Sequence, residues 1–173
     1  EDSFKMIRSK FPMVGVHGLS TSEIDMIARV ERTSTKEVLS RLKDAGLQSV
    51  PGAGAEILTD SVKEIISPKK IDSDDWLRIM REAFELGLPA SATMMYGHVE
   101  TDTDIVEHYD KIAKLQKDLN GFMAFIPWSF EPNNTLMQKE GTVTSGAGGI
   151  QLLKMIAISR IIFDGLIDHI QSS

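Results

Sequence analysis

Short apolar runs alternate along this chain with longer segments in which apolar residues recur at helical spacing. The runs cover residues 13–17, 47–50, 89–96 and 122–127. Such alternation is typical of parallel strands joined by crossover helices. Four strands cannot close a barrel, which needs about eight. The pattern therefore predicts an α/β fold with about four parallel strands and flanking helices, either a partial (half) TIM-type (β/α) barrel or a small open sheet, in a single domain over residues 1–173.

Capping and stop residues mark the predicted helices. Ser20 and Ser34 each stand three positions before a glutamate, which is the spacing of a capping box, so two short helices begin there. Longer helices are predicted from about residue 72, from about 102 to 119, and from about 150 to 170. Glycines able to end helices stand at Gly46 after the second short helix, and at Gly87 and Gly121 after the first two longer helices. The last helix is apolar around most of its circumference and should have neighbours on two sides.

Charge and residue content narrow the range of functions. The formal net charge is −6 and no basic run is longer than Lys69-Lys70, which argues against nucleic-acid binding. The chain has no cysteine, which excludes disulfides and thiolate-held metals, and its 4 histidines lack zinc spacing. No apolar stretch reaches the roughly 18 residues of a membrane span. We expect a soluble, cytoplasmic protein with a small-molecule partner, no membrane contact and no metal site of its own.

A glycine-containing turn at residues 51–56 follows the second predicted strand. In parallel α/β folds, functional groups collect at the carboxyl ends of strands. The turn lacks the Lys-Ser or Lys-Thr pair of the phosphate-binding motif G-x-x-x-x-G-K-[ST]. Its glycines also do not have the spacing of the dinucleotide-binding motif G-x-G-x-x-G. Glu56 is the candidate binding residue, because a carboxylate at a strand end can accept two ribose hydroxyls or an ammonium group. A plain tight turn is the alternative.

Two other strand ends carry polar side chains. His98 and Glu100 directly follow the third predicted strand, where they could bind a polar ligand or transfer protons. Capping of the next helix by Thr101 or Asp102 is the alternative, although capping would not explain the imidazole. His17 follows the first predicted strand, at a position where a histidine is as often structural as functional.

Aromatic residues surround the end of the fourth predicted strand. Core packing explains Phe125, whereas Trp128 and Phe130 lie beyond Pro127, where the strand should be ending. We expect Trp128 and Phe130 to form an apolar wall or lid against a flat ligand.

Residues 51–58, 66–71 and 92–101 resemble the radical S-adenosylmethionine enzymes of the futalosine route to menaquinone. The resemblance extends over nearly the whole chain. Residues 125–135, which include Trp128, and residues 66–71 are most similar to the dehypoxanthine futalosine cyclases. Aminofutalosine synthases and deazaflavin (F0) synthases are the alternatives within the same family, because the 92–101 segment is similar in several of them.

The resemblance implies a chemistry based on S-adenosylmethionine and a 4Fe-4S cluster, in which a carbon radical starts ring closure of dehypoxanthine futalosine. The implied S-adenosylmethionine contacts are Gly54, Glu56, Thr93, Met95 and Tyr96. The implied substrate contacts are His17, Ser20, His98, Glu100 and Trp128. The resemblance names no catalytic residue.

The family's cluster-binding cysteines are absent from this sequence. We therefore expect a middle portion of a parent enzyme, about strands 3 to 6 of its barrel, that is inactive alone and binds no cofactor by itself. The alternative to an enzyme fragment is a non-catalytic half-barrel that functions as a binding or assembly module. Self-association through open sheet edges and the two-sided last helix is expected in either case.

Overall fold

The computed structural model describes residues 1–172, which form eight helices and three strands. The helices are α1 (Asp2–Lys10), α2 (Thr21–Glu31), α3 (Thr35–Asp44), α4 (Asp60–Ile66), α5 (Ser73–Glu85), α6 (Asp102–Leu119), α7 (Leu136–Lys139) and α8 (Gly149–Ile162). The strands are β1 (Ala90–Tyr96), β2 (Phe122–Ser129) and β3 (His169–Ile170). The predicted α/β class is confirmed.

The three strands form one parallel sheet in the order β1-β2-β3. The predicted strands at residues 89–96 and 122–127 are confirmed as β1 and β2. The predicted strands at residues 13–17 and 47–50 are reduced to single parallel bridges, of His17 with Ser49 and of Val50 with Ala90. The prediction of four strands is therefore wrong. Residues 11–15 are exposed, so this segment has no apolar environment that would favour a longer strand.

Side-chain caps begin the helices where the sequence predicts. The Ser34 hydroxyl accepts a hydrogen bond from the Glu37 amide at 3.1 Å and begins α3. The Asp72 carboxylate accepts a hydrogen bond from the Asp75 amide at 2.8 Å and begins α5. Beyond α3, Gly46 adopts a φ of +111°. These local signals place the predicted helices correctly because each is satisfied within a few residues.

The sequence predicts that Gly121 ends α6, but in the structure two residues share this role. Asn120, and not Gly121, adopts the left-handed conformation, with a φ of +49°. Gly121 is required for a different reason, since a Cβ atom there would lie 2.2 Å from ring atoms of Phe84. That ring packs edge-on against Phe122 with 4.9 Å between the centroids.

The helix predicted at residues 150–170 is too long at its carboxyl end. α8 ends at Ile162, and Gly165 then adopts a φ of +67°. The resulting turn allows His169 and Ile170 to pair with β2 as the short strand β3. Apolar side chains of α8 remain uncovered, and Ile150 is 87% exposed.

An aromatic cluster fills the space between the sheet and helices α6 and α8. The rings of Phe125 and Phe163 lie 4.7 Å apart, and Tyr109 lies 5.4 Å from Phe125. The Tyr109 hydroxyl and the Ser159 hydroxyl are 2.8 Å apart, so the buried phenol has a hydrogen-bond partner. The predicted core role of Phe125 is confirmed.

No helix among residues 1–172 combines the length and the apolar character needed to cross a membrane.

Candidate functional site

The segment from Gly52 to Leu58 runs beside β1 and is tied to it by side-chain hydrogen bonds. The Gly52 amide donates to the Ser91 hydroxyl at 3.0 Å, and the Thr93 hydroxyl donates to the Gly52 carbonyl at 2.8 Å. A Cβ atom at Gly52 would lie 2.5 Å from the Ser91 carbonyl oxygen, so only glycine permits this approach. The segment is called the Glu56 loop below.

Glu56 lies in this loop with an unusual backbone conformation. Its φ is +47°, and its carbonyl accepts a hydrogen bond from the Met95 amide at 2.7 Å. The residue is only 7% exposed. Its carboxylate forms an ion pair with Lys70, whose side chain is 44% exposed. The loop therefore presents one buried carboxylate whose cationic partner reaches into solvent.

A groove of about 500 Å³ opens at the Glu56 carboxylate. Its lining residues are Glu56, Ile66, Ser67, Pro68, Lys69, Lys70, Met95 and Trp128. Met95 and Trp128 are register partners in the parallel sheet, so their side chains share one face. Apart from Glu56 and the lysines, the walls are mostly apolar. The groove can receive a flat ring beside Trp128 and bind hydroxyl or ammonium groups at Glu56.

The far end of the Glu56 loop is held by α6. The Leu58 amide donates to Nδ1 of His108 at 3.0 Å, and the Lys111 ammonium donates to the Leu58 carbonyl at 2.7 Å. Burial, with smaller contributions from the lysine charges nearby, lowers the pKa of His108 to about 3, so the imidazole is neutral. Nδ1 accepts the hydrogen bond from the Leu58 amide, so Nε2 carries the proton.

A second cluster of polar groups forms the turn after β1. The Glu100 carboxylate accepts hydrogen bonds from the amides of Gly97 at 2.5 Å and His98 at 2.8 Å. It also lies 3.0 Å from Nδ1 of His98. Burial opposes ionisation of Glu100, but the hydrogen bonds from the His98 side chain and the two amides outweigh it and lower its pKa to about 2. The carboxylate therefore stabilises the turn and is not poised to transfer protons near neutral pH.

The groove brings together three of the predicted site residues, Glu56, Met95 and Trp128. Thr93 and the Gly54 carbonyl support the Glu56 loop and do not line the groove. Tyr96 is fully buried, and strand alternation directs its side chain to the face opposite Met95. His98 and Glu100 belong to the turn after β1. The assignment of these residues to cofactor or substrate stays a prediction.

His17 and Ser20 lie outside the groove. Nδ1 of His17 is 2.7 Å from the Ser49 hydroxyl, beside the single bridge that joins these two residues. Both the amide and the hydroxyl of Ser20 donate to the Glu23 carboxylate at 2.7 Å, which forms the start of α2. Both side chains have local structural partners, and a substrate role for either stays a prediction.

The sequence did not single out two lysines that the structure places next to Glu56. In the sequence, Lys70 is distinguished only as part of the basic pair Lys69-Lys70, whereas in the structure it lies in the wall of the groove. Lys63 and Val62 are the two buried residues of α4, and the Lys63 ammonium group donates to the Gly54 carbonyl at 2.8 Å. Its place next to buried Val62 is a weak signal, because helix positions one apart do not share a face.

Comparison with known families identifies the class to which the fold and groove belong. The family described as the radical SAM superfamily matches residues 17–112. The chain belongs to the radical SAM superfamily, which is a family of enzymes. A further match, to the family described as the CofH/MqnC C-terminal region, covers residues 119–173.

Two curated archaeal relatives illustrate what this chain is similar to, and both are named 5-amino-6-(D-ribitylamino)uracil--L-tyrosine 4-hydroxyphenyl transferase. The protein from Methanothermobacter thermautotrophicus is 39% identical over 173 residues, which are 100% of this chain and 47% of the relative. The protein from Methanocaldococcus jannaschii is 43% identical over 160 residues, which are 92% of this chain and 45% of the relative. The chain thus spans about half the length of the curated relatives it matches.

These relatives correct the interpretation drawn from the Trp128 segment. The identification with the dehypoxanthine futalosine cyclases, and with it the menaquinone pathway, is wrong, because relatives about 40% identical to this chain carry the transferase name. The resemblance to the cyclases within the family depended on two short segments, residues 66–71 and 125–135, whereas these identities extend over 171 to 173 residues.

The cofactors of the family fit this chain unequally. Iron–sulfur clusters are held by cysteine thiolates. The chain has no cysteine, and among residues 1–172 no three metal-binding side chains come together. Its residues therefore do not fit the cluster. S-adenosylmethionine has ribose hydroxyls and an ammonium group that could donate to the Glu56 carboxylate, and a flat adenine that fits the apolar walls formed by Met95 and Trp128.

Proposed function

We propose that this chain forms part of the (β/α) barrel of a radical SAM enzyme that transfers the 4-hydroxyphenyl group of L-tyrosine to 5-amino-6-(D-ribitylamino)uracil. This corresponds to the deazaflavin (F0) synthase alternative from the sequence. The observation that carries the proposal is 39% to 43% identity, over 92% to 100% of this chain, with two relatives that bear this name. The parallel sheet and the groove at its carboxyl edge support a barrel enzyme.

The groove residues have distinct proposed roles. When bound, S-adenosylmethionine supplies the radical chemistry of the family. Glu56 accepts hydrogen bonds from its hydroxyl or ammonium groups, and burial of the carboxylate limits competition from water. Trp128 packs against a flat ring. Because this residue is 39% exposed, the contact requires little rearrangement of the core. Lys70 releases Glu56 when the ligand arrives, because a partly exposed ion pair costs little to open.

A chimeric enzyme tests the proposal without assumptions about residues outside this chain. The matching segment of the Methanothermobacter thermautotrophicus relative is replaced by these 173 residues, so that the relative supplies the rest of its own chain. The chimera is reconstituted with its cluster under anaerobic conditions. It is offered L-tyrosine, 5-amino-6-(D-ribitylamino)uracil and S-adenosylmethionine, and the product is identified by mass spectrometry. We expect the 4-hydroxyphenyl adduct.

Matched variants connect the activity to the groove. Glu56→Gln in the chimera should reduce adduct formation at least about tenfold, because a charge-assisted hydrogen bond contributes roughly 1.5 to 3 kcal/mol. Glu64→Gln on the exposed side of α4 should leave the rate unchanged. A folded, cluster-loaded chimera that cleaves S-adenosylmethionine yet forms no adduct would contradict the proposed substrate.

Two other expectations stay predictions. The cytoplasmic location is untested. We also propose that the isolated chain self-associates through the uncovered side chains of α8, where Leu153 is 69% exposed and Ile161 is 77% exposed.

A further inference from the structure

Lys63 is buried in α4 without a carboxylate at ion-pair distance. It is 3% exposed, and it takes part in none of the ion pairs formed among residues 1–172. Burial lowers the pKa of Lys63 to about 8, although the nearby Glu56 charge opposes this fall. A buried ammonium group is unfavourable unless other contacts compensate for the lost hydration. The contacts that compensate for the burial of Lys63 therefore indicate what this side chain does.

Those contacts are two consecutive backbone carbonyls of the Glu56 loop. The ammonium group of Lys63 donates to the Gly54 carbonyl at 2.8 Å and to the Ala55 carbonyl at 3.2 Å. The residues on either side of Ala55 have positive φ, +90° at Gly54 and +47° at Glu56. A positive φ is unfavourable for a residue with a side chain, so Glu56 keeps this conformation only if its surroundings impose it.

The opposite side of the loop is fixed by β1, where the Met95 amide donates to the Glu56 carbonyl at 2.7 Å. We propose that Lys63 is the positioning residue for Glu56, holding the two preceding carbonyls so that the carboxylate is directed into the groove. Lys63 does not line the groove and acts only through the loop. The inference rests on the proposed function for the use that is made of Glu56, whereas the loop geometry is independent of it.

Hydrogen exchange of the full 173-residue chain tests this role. Lys63→Met removes the donors and the charge but retains an apolar side chain of similar length. Val62→Ala, at the other buried position of α4, is the matched control because valine has no side-chain donor for the loop carbonyls. After correction for global stability, exchange at the Met95 amide should accelerate on the order of tenfold in Lys63→Met and not in Val62→Ala.

Lys63→Arg retains donors and charge, and its Met95 exchange should lie closer to that of the unmodified chain than to that of Lys63→Met. Equal exchange in Lys63→Met and Val62→Ala, or failure of Lys63→Arg to restore protection, would overturn the proposal. If Lys63→Met does not fold, the unmodified chain decides by carbonyl 13C NMR. The carbonyl signals of Gly54 and Ala55 should shift as Lys63 loses its proton. Unchanged signals would also overturn the proposal.

A binding measurement separates this inference from the proposed function. Titration of the cluster-loaded chimera with S-adenosylmethionine gives a dissociation constant, which should increase in Lys63→Met and stay unchanged in Val62→Ala. If S-adenosylmethionine does not bind the cluster-loaded chimera, the proposed function of the groove fails. The exchange comparison at Met95 still accepts or rejects the role of Lys63 in that case, because it requires no ligand.

Discussion

Replacement of Glu100 by glutamine should destabilise the chain at neutral pH and remove part of its sensitivity to acid. The carboxylate accepts hydrogen bonds from the amides of Gly97 and His98 at 2.5 Å and 2.8 Å. Glutamine offers a single acceptor oxygen, so one of these amides loses its partner and faces an NH₂ group. The perturbation thus changes charge and hydrogen bonding while it leaves the shape of the turn unchanged.

The magnitude follows from the ionisation of the carboxyl group. Burial works against the charged form, yet the hydrogen bonds lower the pKa of Glu100 from its ordinary 4.5 to about 2. Such a shift corresponds to about 3 kcal/mol, which solvent screening at this partly exposed turn reduces to about 2 kcal/mol at pH 7. Because the folded-state pKa lies below the unfolded one, the stabilisation is complete above about pH 4.5 and is lost as the pH falls towards 2. Less than about half should remain at pH 3.

Urea unfolding at pH 7 and at pH 3, followed by circular dichroism, measures both effects. Glu107→Gln is the matched control on α6, where the carboxylate forms a surface ion pair with Lys111 at 2.7 Å. This control should cost at most about 0.5 kcal/mol. A loss in Glu100→Gln that is the same at both pH values would refute the reasoning about ionisation. A loss no larger than that of the control would refute the importance of the turn.

Two further predictions concern packing and assembly. Gly121→Ala should lower the free energy of unfolding by about 2 to 4 kcal/mol, because its Cβ would lie 2.2 Å from ring atoms of Phe84. Gly149→Ala, in the first turn of α8 and with no heavy atom within 4 Å of the added Cβ, should not destabilise the chain in the same thermal unfolding experiment, and equal effects would contradict this account. Leu153→Lys combined with Ile161→Lys should shift the sedimentation profile of the isolated chain towards monomer. An unchanged profile would exclude α8 as the self-association surface.

The parts of the fold that the sequence predicts are those determined by neighbouring residues. The Ser34 cap and Gly46 enclose α3 because each acts within its own turn. The strands β1 and β2 are predicted because their continuous apolar character is typical of strands covered on both faces. The extension of the last helix to residue 170 is wrong because pairing of β3 with β2 decides the end of that segment, and this pairing is a tertiary contact.

The groove is only partly predictable for the same reason. Glu56 and Trp128 are nominated because each follows a run read as a strand, and parallel α/β folds collect ligands there. In the sequence, Lys63 lies in an ordinary helical segment and Lys70 in an ordinary loop. Their approach to the Glu56 loop depends on the path of the chain through α4, a seven-residue helix that carries little periodic signal. Charge alone does not reveal that one lysine is buried and the other exposed.

The attachment of Gly52 to β1 has a consequence for how the sheet forms. The hydroxyls of Ser91 and Thr93 bind the amide and the carbonyl of the same glycine, and they are two positions apart on one face. A strand displaced by one residue would present Ala92 and Met94 instead, neither of which can form these bonds. Both polar groups of Gly52 would then be buried without partners, at a cost of about 2 to 6 kcal/mol. The contacts of Gly52 therefore favour the observed alignment of β1 over one displaced by a single residue.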